Sequence, residues 1–248
     1  LRGASFVLAL DSWSTGFPAY CAARVRGVPF LVRVGGDPVW ESYVARRDEP
    51  VRLSDFYTGQ KLSFKERCMF RMIRMLLRGA QCVFFNTRFQ RDLWQSVYGF
   101  DASKSRLLEN WYPAHEPRGA SVRSRVFVSA ARSTRFKNVK FLERVFSQLQ
   151  KEHPDIVLDT RVVPHVDQLE RLRSAYAVII PSVSEIGSNT AIEAVSMGTP
   201  FIMTEDTGTK ERLSECGIFI DTRSEKLLKE ALERLLDPVV YKTLSENA

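Results

Sequence analysis

The chain has 248 residues, 44% hydrophobic and 26% charged, the composition of a folded globular protein rather than a disordered or fibrous one. No apolar run approaches the ~18–20 residues that span a bilayer, and Asp11 follows the opening apolar stretch too soon for a secretory signal. The net charge of +7 sits in the first half: residues 1–120 hold 18 Lys and Arg against 11 Asp and Glu, residues 121–248 hold 18 against 18. The first half is therefore the part expected to meet an anionic partner.

Short apolar runs predict strands at 5–10, 29–34, 81–86 and 106–109, separated by helical patterns near 16–26, 62–79 and 88–98. Plotted at about 100° per residue, Arg67, Arg71, Arg74 and Arg78 form one stripe of the helix at 62–79, opposite Met69, Ile73, Leu76 and Ala80. Two readings of that stripe stay open and are compatible: contact with anionic lipid headgroups, or an ordinary solvated face. Trp111 to Ser124, with two prolines and a glycine, reads as a linker.

Beyond the linker the rhythm restarts. Strands are expected at 125–130, 156–162, 176–181, 200–204 and 217–220, and helices near 138–151, 167–174, 189–197, 208–215 and 224–236. Gly198-Thr199-Pro200 is a helix stop. No closing helix is expected before Ala248. The alternation predicts two α/β domains built on parallel sheets, 1–118 and 119–248, the first incomplete because it opens in mid-rhythm.

Cys21, Cys68, Cys82 and Cys216 form no C-x-x-C pair, and His115, His153 and His165 show no ligand spacing. Neither a disulfide framework nor a zinc site is expected, and the cysteine usage points to the cytoplasm.

Two segments carry chemistry. In the first, Arg132, Arg135, Lys137 and Lys140 crowd the amino end of the helix at 138–151. Cations are disfavoured there unless an anionic ligand such as a diphosphate reverses the sign; a solvated basic loop is the equal alternative. The second is Pro181-Ser182-Val183-Ser184-Glu185-Ile186-Gly187-Ser188-Asn189-Thr190-Ala191-Ile192-Glu193-Ala194, at the carboxyl end of an apolar strand, where open α/β sheets bind ligands. Gly187 would let the backbone approach a ligand, with the amides of Ser188, Asn189 and Thr190 opening a helix. Glu185 and Glu193 would accept from sugar hydroxyls. For Glu193 a capping box with Thr190 is the alternative.

Ser184-Glu185-Ile186-Gly187 through Ile192-Glu193-Ala194, with Gly198-Thr199-Pro200, resembles the E-x7-E region of glycosyltransferase family 4, the group 1 glycosyltransferases. Arg132-x4-Lys137 resembles that family's phosphate-binding pair, Asn110 the Asn at its domain junction, and Gly36-Asp37-Pro38-Val39-Trp40-Glu41 a segment of some members. The family's glycine-rich loop is absent, which the resemblance explains by ~70–80 missing residues of a two-domain enzyme of ~350–400. Where many members carry an acceptor-side histidine this chain has Gly35-Gly36-Asp37.

The resemblance implies a GT-B-like α/β fold, two doubly wound Rossmann-like domains facing across a cleft. It implies retaining transfer of a sugar from a nucleotide-sugar donor, a UDP-sugar first, to a glycan or lipid-linked acceptor in polysaccharide biosynthesis. Arg132 and Lys137 would bind the diphosphate, Glu193 the ribose and Glu185 the donor sugar. The backbone of Pro164-His165-Val166 would meet the base, and Gly36 and Asp37 would stand on the acceptor side. No cofactor is expected. The absence of a D-x-D motif argues for metal independence. A peripheral contact with an anionic membrane on the cytoplasmic face is compatible with the arginine stripe. Nucleic acid is not expected, because no surface aromatics interleave that stripe. A nucleotide-sugar epimerase and a non-catalytic nucleotide-sugar-binding protein stay open as alternatives.

Overall fold

The structure is a computed structural model that describes residues 3–47, 50–112, 124–130 and 134–248. It divides into two compact units, Leu1–Asn110 and Trp111–Ala248. The boundary expected between 118 and 119 and most of the expected linker lie outside the described residues.

Unit 1 runs β1 (Val7–Ala9), α1 (Gly16–Arg26), β2 (Phe30–Arg33), α2 (Pro38–Arg46), α3 (Leu53–Gly59), α4 (Phe64–Gly79), β3 (Cys82–Phe85), α5 (Arg88–Tyr98) and β4 (Ser105–Leu107). The strands form one parallel sheet in the order β1-β2-β3-β4. Successive right-handed crossovers moving in one direction deliver their helices to one face. Tyr20 of α1 packs on Phe30 and Trp94 of α5 on Phe85. Phe6, Leu8, Leu10 and Leu108 are exposed.

All four expected strands are present in unit 1, but two helices between 34 and 62 escaped the sequence reading. Helix α2 starts at Asp37-Pro38, a cap followed by proline at the first helical position, a recognised start signal. Asp37, expected on the acceptor side, is thus the cap of α2. Its carboxylate is buried and accepts from the amides of Val39 and Trp40 and from the Tyr57 hydroxyl. Gly36 beside it is exposed, and a Cβ there would meet only the end of the Glu41 side chain.

In α4, Ser63 and Glu66 form a capping box, and Met69, Ile73, Leu76 and Leu77 are buried. Each such burial contributes about 1.5–3 kcal/mol. Arg67, Arg71, Arg74 and Arg78 are exposed, as the angular plot requires.

Unit 2 runs β5 (Arg125–Val128), α6 (Val139–Glu152), β6 (Ile156–Asp159), α7 (His165–Ser174), β7 (Ala177–Ile180), α8 (Asn189–Ser196), β8 (Phe201–Thr204), α9 (Lys210–Leu213), β9 (Gly217–Ile220), α10 (Glu225–Leu236) and α11 (Pro238–Asn247). The five strands are parallel in the order β6-β5-β7-β8-β9. Every residue of β7 and β8 is buried, which is why these central strands read as unbroken apolar runs. Leu142, Val145, Phe146 and Leu149 of α6 are buried in one cluster with Phe127, Leu228, Leu232 and Leu235. Helix α8 is capped at Met197, and the next residue, Gly198, has a left-handed φ of 69° that suits glycine. Contrary to expectation, a closing helix does follow: α11 opens on Asp237-Pro238, the same cap-plus-proline signal as α2. Both sheets are of the open parallel type expected for Rossmann-like units.

Candidate nucleotide-sugar site

The chain order of unit 2 reverses direction between β5 and β7, since β6 lies on one side of β5 and β7 on the other. Loops leaving neighbouring strands at such a point diverge and open a crevice beyond their carboxyl ends. A cavity of about 310 Å³ lies there, lined by Ala130, Lys137, Ile180, Ser182, Glu185 and the run Gly187 to Thr190. That volume is at the lower end of small-molecule sites.

From the β5 side, a 3-10 turn at Arg135–Lys137 leads to Asn138, whose left-handed φ of 56° lets the chain turn into α6. Among the described residues no side chain caps the first amides of α6, and no acidic residue lies in its first turn. From the β7 side come residues 181–188. The two loops are stitched together: the amide of Val183 donates to Phe136 O at 2.8 Å, and Asn138 Nδ2 donates to Thr222 O at 3.1 Å. Thr222 Oγ1 in turn donates to Ser182 O at 2.7 Å.

The loop after β8 supports the same segment from behind. The Glu185 amide donates to Asp206 O at 3.0 Å, the Ser188 amide to Thr209 Oγ1 at 3.0 Å, and Thr204 Oγ1 to Val183 O at 3.0 Å. Ser184 donates to the Asp206 carboxylate. Of these, Thr204, Asp206 and Thr209 carry no motif and escaped the sequence reading. Only the density of serines and threonines in 182–209 signals a loop that satisfies its own backbone.

Lys137 and Glu185 form an ion pair beside the cavity, with side chains 23% and 13% exposed. Ser182 Oγ donates to the same carboxylate oxygen at 2.6 Å. Ser188 is the cap of α8: its hydroxyl accepts from the Ala191 amide at 3.2 Å. This overturns the capping-box alternative for Glu193, because Thr190 lies inside the helix and Glu193 is in its second turn. Glu193 instead meets His165 at the start of α7, Nε2 to Oε1 3.1 Å. Burial raises its carboxyl pKa, and the neighbouring His165 opposes that rise.

Val166, beside His165, is exposed. Gly187 lines the cavity without a left-handed backbone, so no backbone strain there calls for glycine. Arg132 lies outside the described residues. Gly36 and Asp37 belong to unit 1. In that unit Asn110 accepts from Arg33 at 2.6 Å, and its amide donates to Asn86 Oδ1.

Residues 147–238 match the family model described as "Glycosyl transferases group 1". The match includes His165, Glu185 and Glu193 and begins after the Lys137 turn. No curated protein matches the chain in sequence. Among solved structures, the chain is similar to a sucrose-phosphate synthase from Thermosynechococcus elongatus at 16% identity and TM-score 0.72, over 99% of this chain and 68% of that one. It is also similar to HepE from Anabaena in complex with UDP and glucose, at 11% identity and TM-score 0.72, over 98% and 71%. A third similar structure is WaaG, a glycosyltransferase involved in lipopolysaccharide biosynthesis, at 15% identity and TM-score 0.64, over 99% and 73%. At these identities the likeness speaks for the fold. The chain thus matches the group 1 glycosyl transferase model over 147–238 and has a GT-B-type fold of Rossmann-like units.

Proposed function

We propose that this chain transfers a sugar, with retention of configuration, from a nucleotide-sugar donor held in the unit 2 cavity to a glycan or lipid-linked acceptor. The observation that carries the reading is the convergence of Lys137 and Glu185 at the β5–β7 crevice, beside the amino end of α8. Lys137, Arg132 and the amides of Ser188, Asn189 and Thr190 bind the diphosphate and stabilise the charge it gains as it leaves. Glu185 accepts from hydroxyls of the donor sugar. Glu193, left uncapped and half-buried, accepts from the ribose, and the backbone at Pro164-His165-Val166 meets the base.

UDP-sugars are the first donors to test; HepE of similar fold has been solved with UDP-glucose. No metal is required, because lysine, arginine and helix amides supply the positive charge, and the sequence has no D-x-D. Among the described residues no helix is long and apolar enough to cross a membrane. The exposed Arg67, Arg71 and Arg74, with Phe64 and Met75 exposed on the same side of α4, favour a peripheral contact with anionic lipid at the cytoplasmic face.

Calorimetric titration with UDP-, GDP- and ADP-sugars tests the donor site; binding of none of them refutes it. Product analysis with a lipid-linked glycan then tests transfer. An epimerase would interconvert the free donor with no acceptor present, and a non-catalytic binder would bind it unchanged.

A further inference from the structure

Two oppositely charged side chains stand where a donor must bind, and they are paired with each other. Both belong to one hydrogen-bonded frame. Asn138, next to Lys137 in sequence, donates to Thr222 O, Thr222 donates to Ser182 O, and Ser182 Oγ donates to Glu185 Oε1. The Glu185 backbone is pinned in turn by its amide bond to Asp206 O and by a parallel bridge with Thr207. A glutamate so anchored stays in place when the flexible lysine moves.

We infer that Glu185 makes the site discriminate between a sugar-bearing donor and the bare nucleoside diphosphate product, by competing with the diphosphate for Lys137. The inference rests on the donor-site reading above. A diphosphate that draws Lys137 away leaves a carboxylate that is mostly buried, with the Ser182 hydroxyl as the donor that remains on its Oε1 among the described residues. Stranding a buried charge in this way is unfavourable. A ligand that carries a sugar replaces the lost ammonium with hydroxyl donors, so Glu185 stays satisfied and Lys137 is free to hold phosphate. Once the sugar has been transferred, those hydroxyls leave with it. Glu185 then recaptures Lys137, which loosens the bare diphosphate. The same ion pair thereby selects donor over product and promotes product release.

The test is a double-mutant cycle in nucleotide binding, on the whole chain, with UDP and UDP-glucose as first probes and the GDP and ADP pairs if those do not bind. Glu185→Gln keeps the shape of the side chain and the Ser182 hydrogen bond while removing the charge, and melting curves check that each variant is folded. Glu185→Gln is expected to tighten UDP by roughly tenfold or more, the scale of one charge-assisted hydrogen bond. It should also shrink the ratio of UDP-glucose to UDP affinity. In a Lys137→Met background, measured at millimolar ligand, the same change should alter UDP affinity by less than about twofold, because no lysine remains to be released.

Unchanged or weakened UDP binding by Glu185→Gln overturns the inference while leaving the donor site standing. Equal tightening with and without Lys137 overturns it as well, since plain repulsion between Glu185 and phosphate would then be the cause. Failure of the unaltered protein to bind any of the three nucleotides or their sugars overturns the donor-site reading, and the inference with it.

Discussion

His165 Nε2 stands 3.1 Å from Glu193 Oε1, joining the first residue of α7 to the second turn of α8. Because Ser188 caps α8, Glu193 is released from helix capping and can serve a ligand. Glu193→Gln is therefore expected to weaken nucleoside diphosphate and nucleotide sugar alike, while the melting temperature changes little. Loss of ~0.5–2 kcal/mol of stability with unchanged affinity would be the signature of a cap and would refute the ribose role.

The same carboxyl sets a pH dependence. Burial raises its pKa, so it takes up a proton at a higher pH than an ordinary glutamate, and the protonated acid is a poorer acceptor for ribose hydroxyls. Nucleotide affinity is expected to fall as the pH drops through that raised value. In Glu193→Gln this part of the pH profile should be flat, as titrations across the acid range would show.

Lys137→Ala should weaken nucleoside diphosphate binding by about 1.5–3 kcal/mol, the range of charge-assisted hydrogen bonds. Arg132→Ala is expected to do the same. Calorimetry that finds both variants unchanged would remove them from the phosphate site. Lys137→Ala should also lower the melting temperature, since it leaves Glu185 mostly buried without its counter-charge.

In unit 1, burial pushes the Asp37 carboxyl up to about 6, against the pull of its hydrogen bonds from Trp40, Tyr57 and Val39. The folded state then holds this proton more tightly than the unfolded chain. The contribution to stability is complete below the ordinary aspartate range and is lost as the pH rises through about 4 to 6, by about 3 kcal/mol at most. Asp37→Asn keeps a capping side chain and should abolish this slope. Chemical denaturation of the two proteins at several pH values checks it, and identical slopes would contradict the burial argument.

The proposed sugar transfer is expected to persist in excess EDTA. Activity that EDTA abolishes and Mg²⁺ or Mn²⁺ restores would mean that a metal, and not Lys137 with the helix amides, balances the leaving diphosphate.

Vesicles containing anionic lipid should bind the chain through α4, more weakly as salt is raised. Replacing Arg67, Arg71 and Arg74 by Gln together should abolish that binding. Arg78 is best left in place, because its Nε already donates to Gly99 O. Equal binding by the triple variant would leave the stripe as a solvated face.

Much of the fold was legible in the sequence, for a local reason. All nine expected strands exist because each is a short apolar run between polar turns, and α1 and α5 begin and end where their periodicity does. Helices α2 and α11 were legible too, through Asp37-Pro38 and Asp237-Pro238, but a cap signal without a long periodic pattern was passed over. The family resemblance likewise rested on local strings, Arg132 to Lys137 and Glu185 to Glu193.

What the sequence by itself determined, then, is the order of elements and the residue types at the ends of β5 and β7. Only the tertiary structure decided which of those residues meet. Thr190-x-x-Glu193 and Ser188-x-x-Ala191 compete as starts for α8, and the loop at 204–209 settles the choice, since Thr209 holds the Ser188 amide in place. Asp37, which the resemblance places on the acceptor side, is buried and bonded to Tyr57, 20 residues away in sequence. Lys137 and Glu185 lie 48 residues apart, and no periodicity relates them. They meet because β5 and β7 are neighbours while β6, between them in sequence, pairs on the far side of β5. Strand order is a property of the whole sheet, and it is strand order that makes the site.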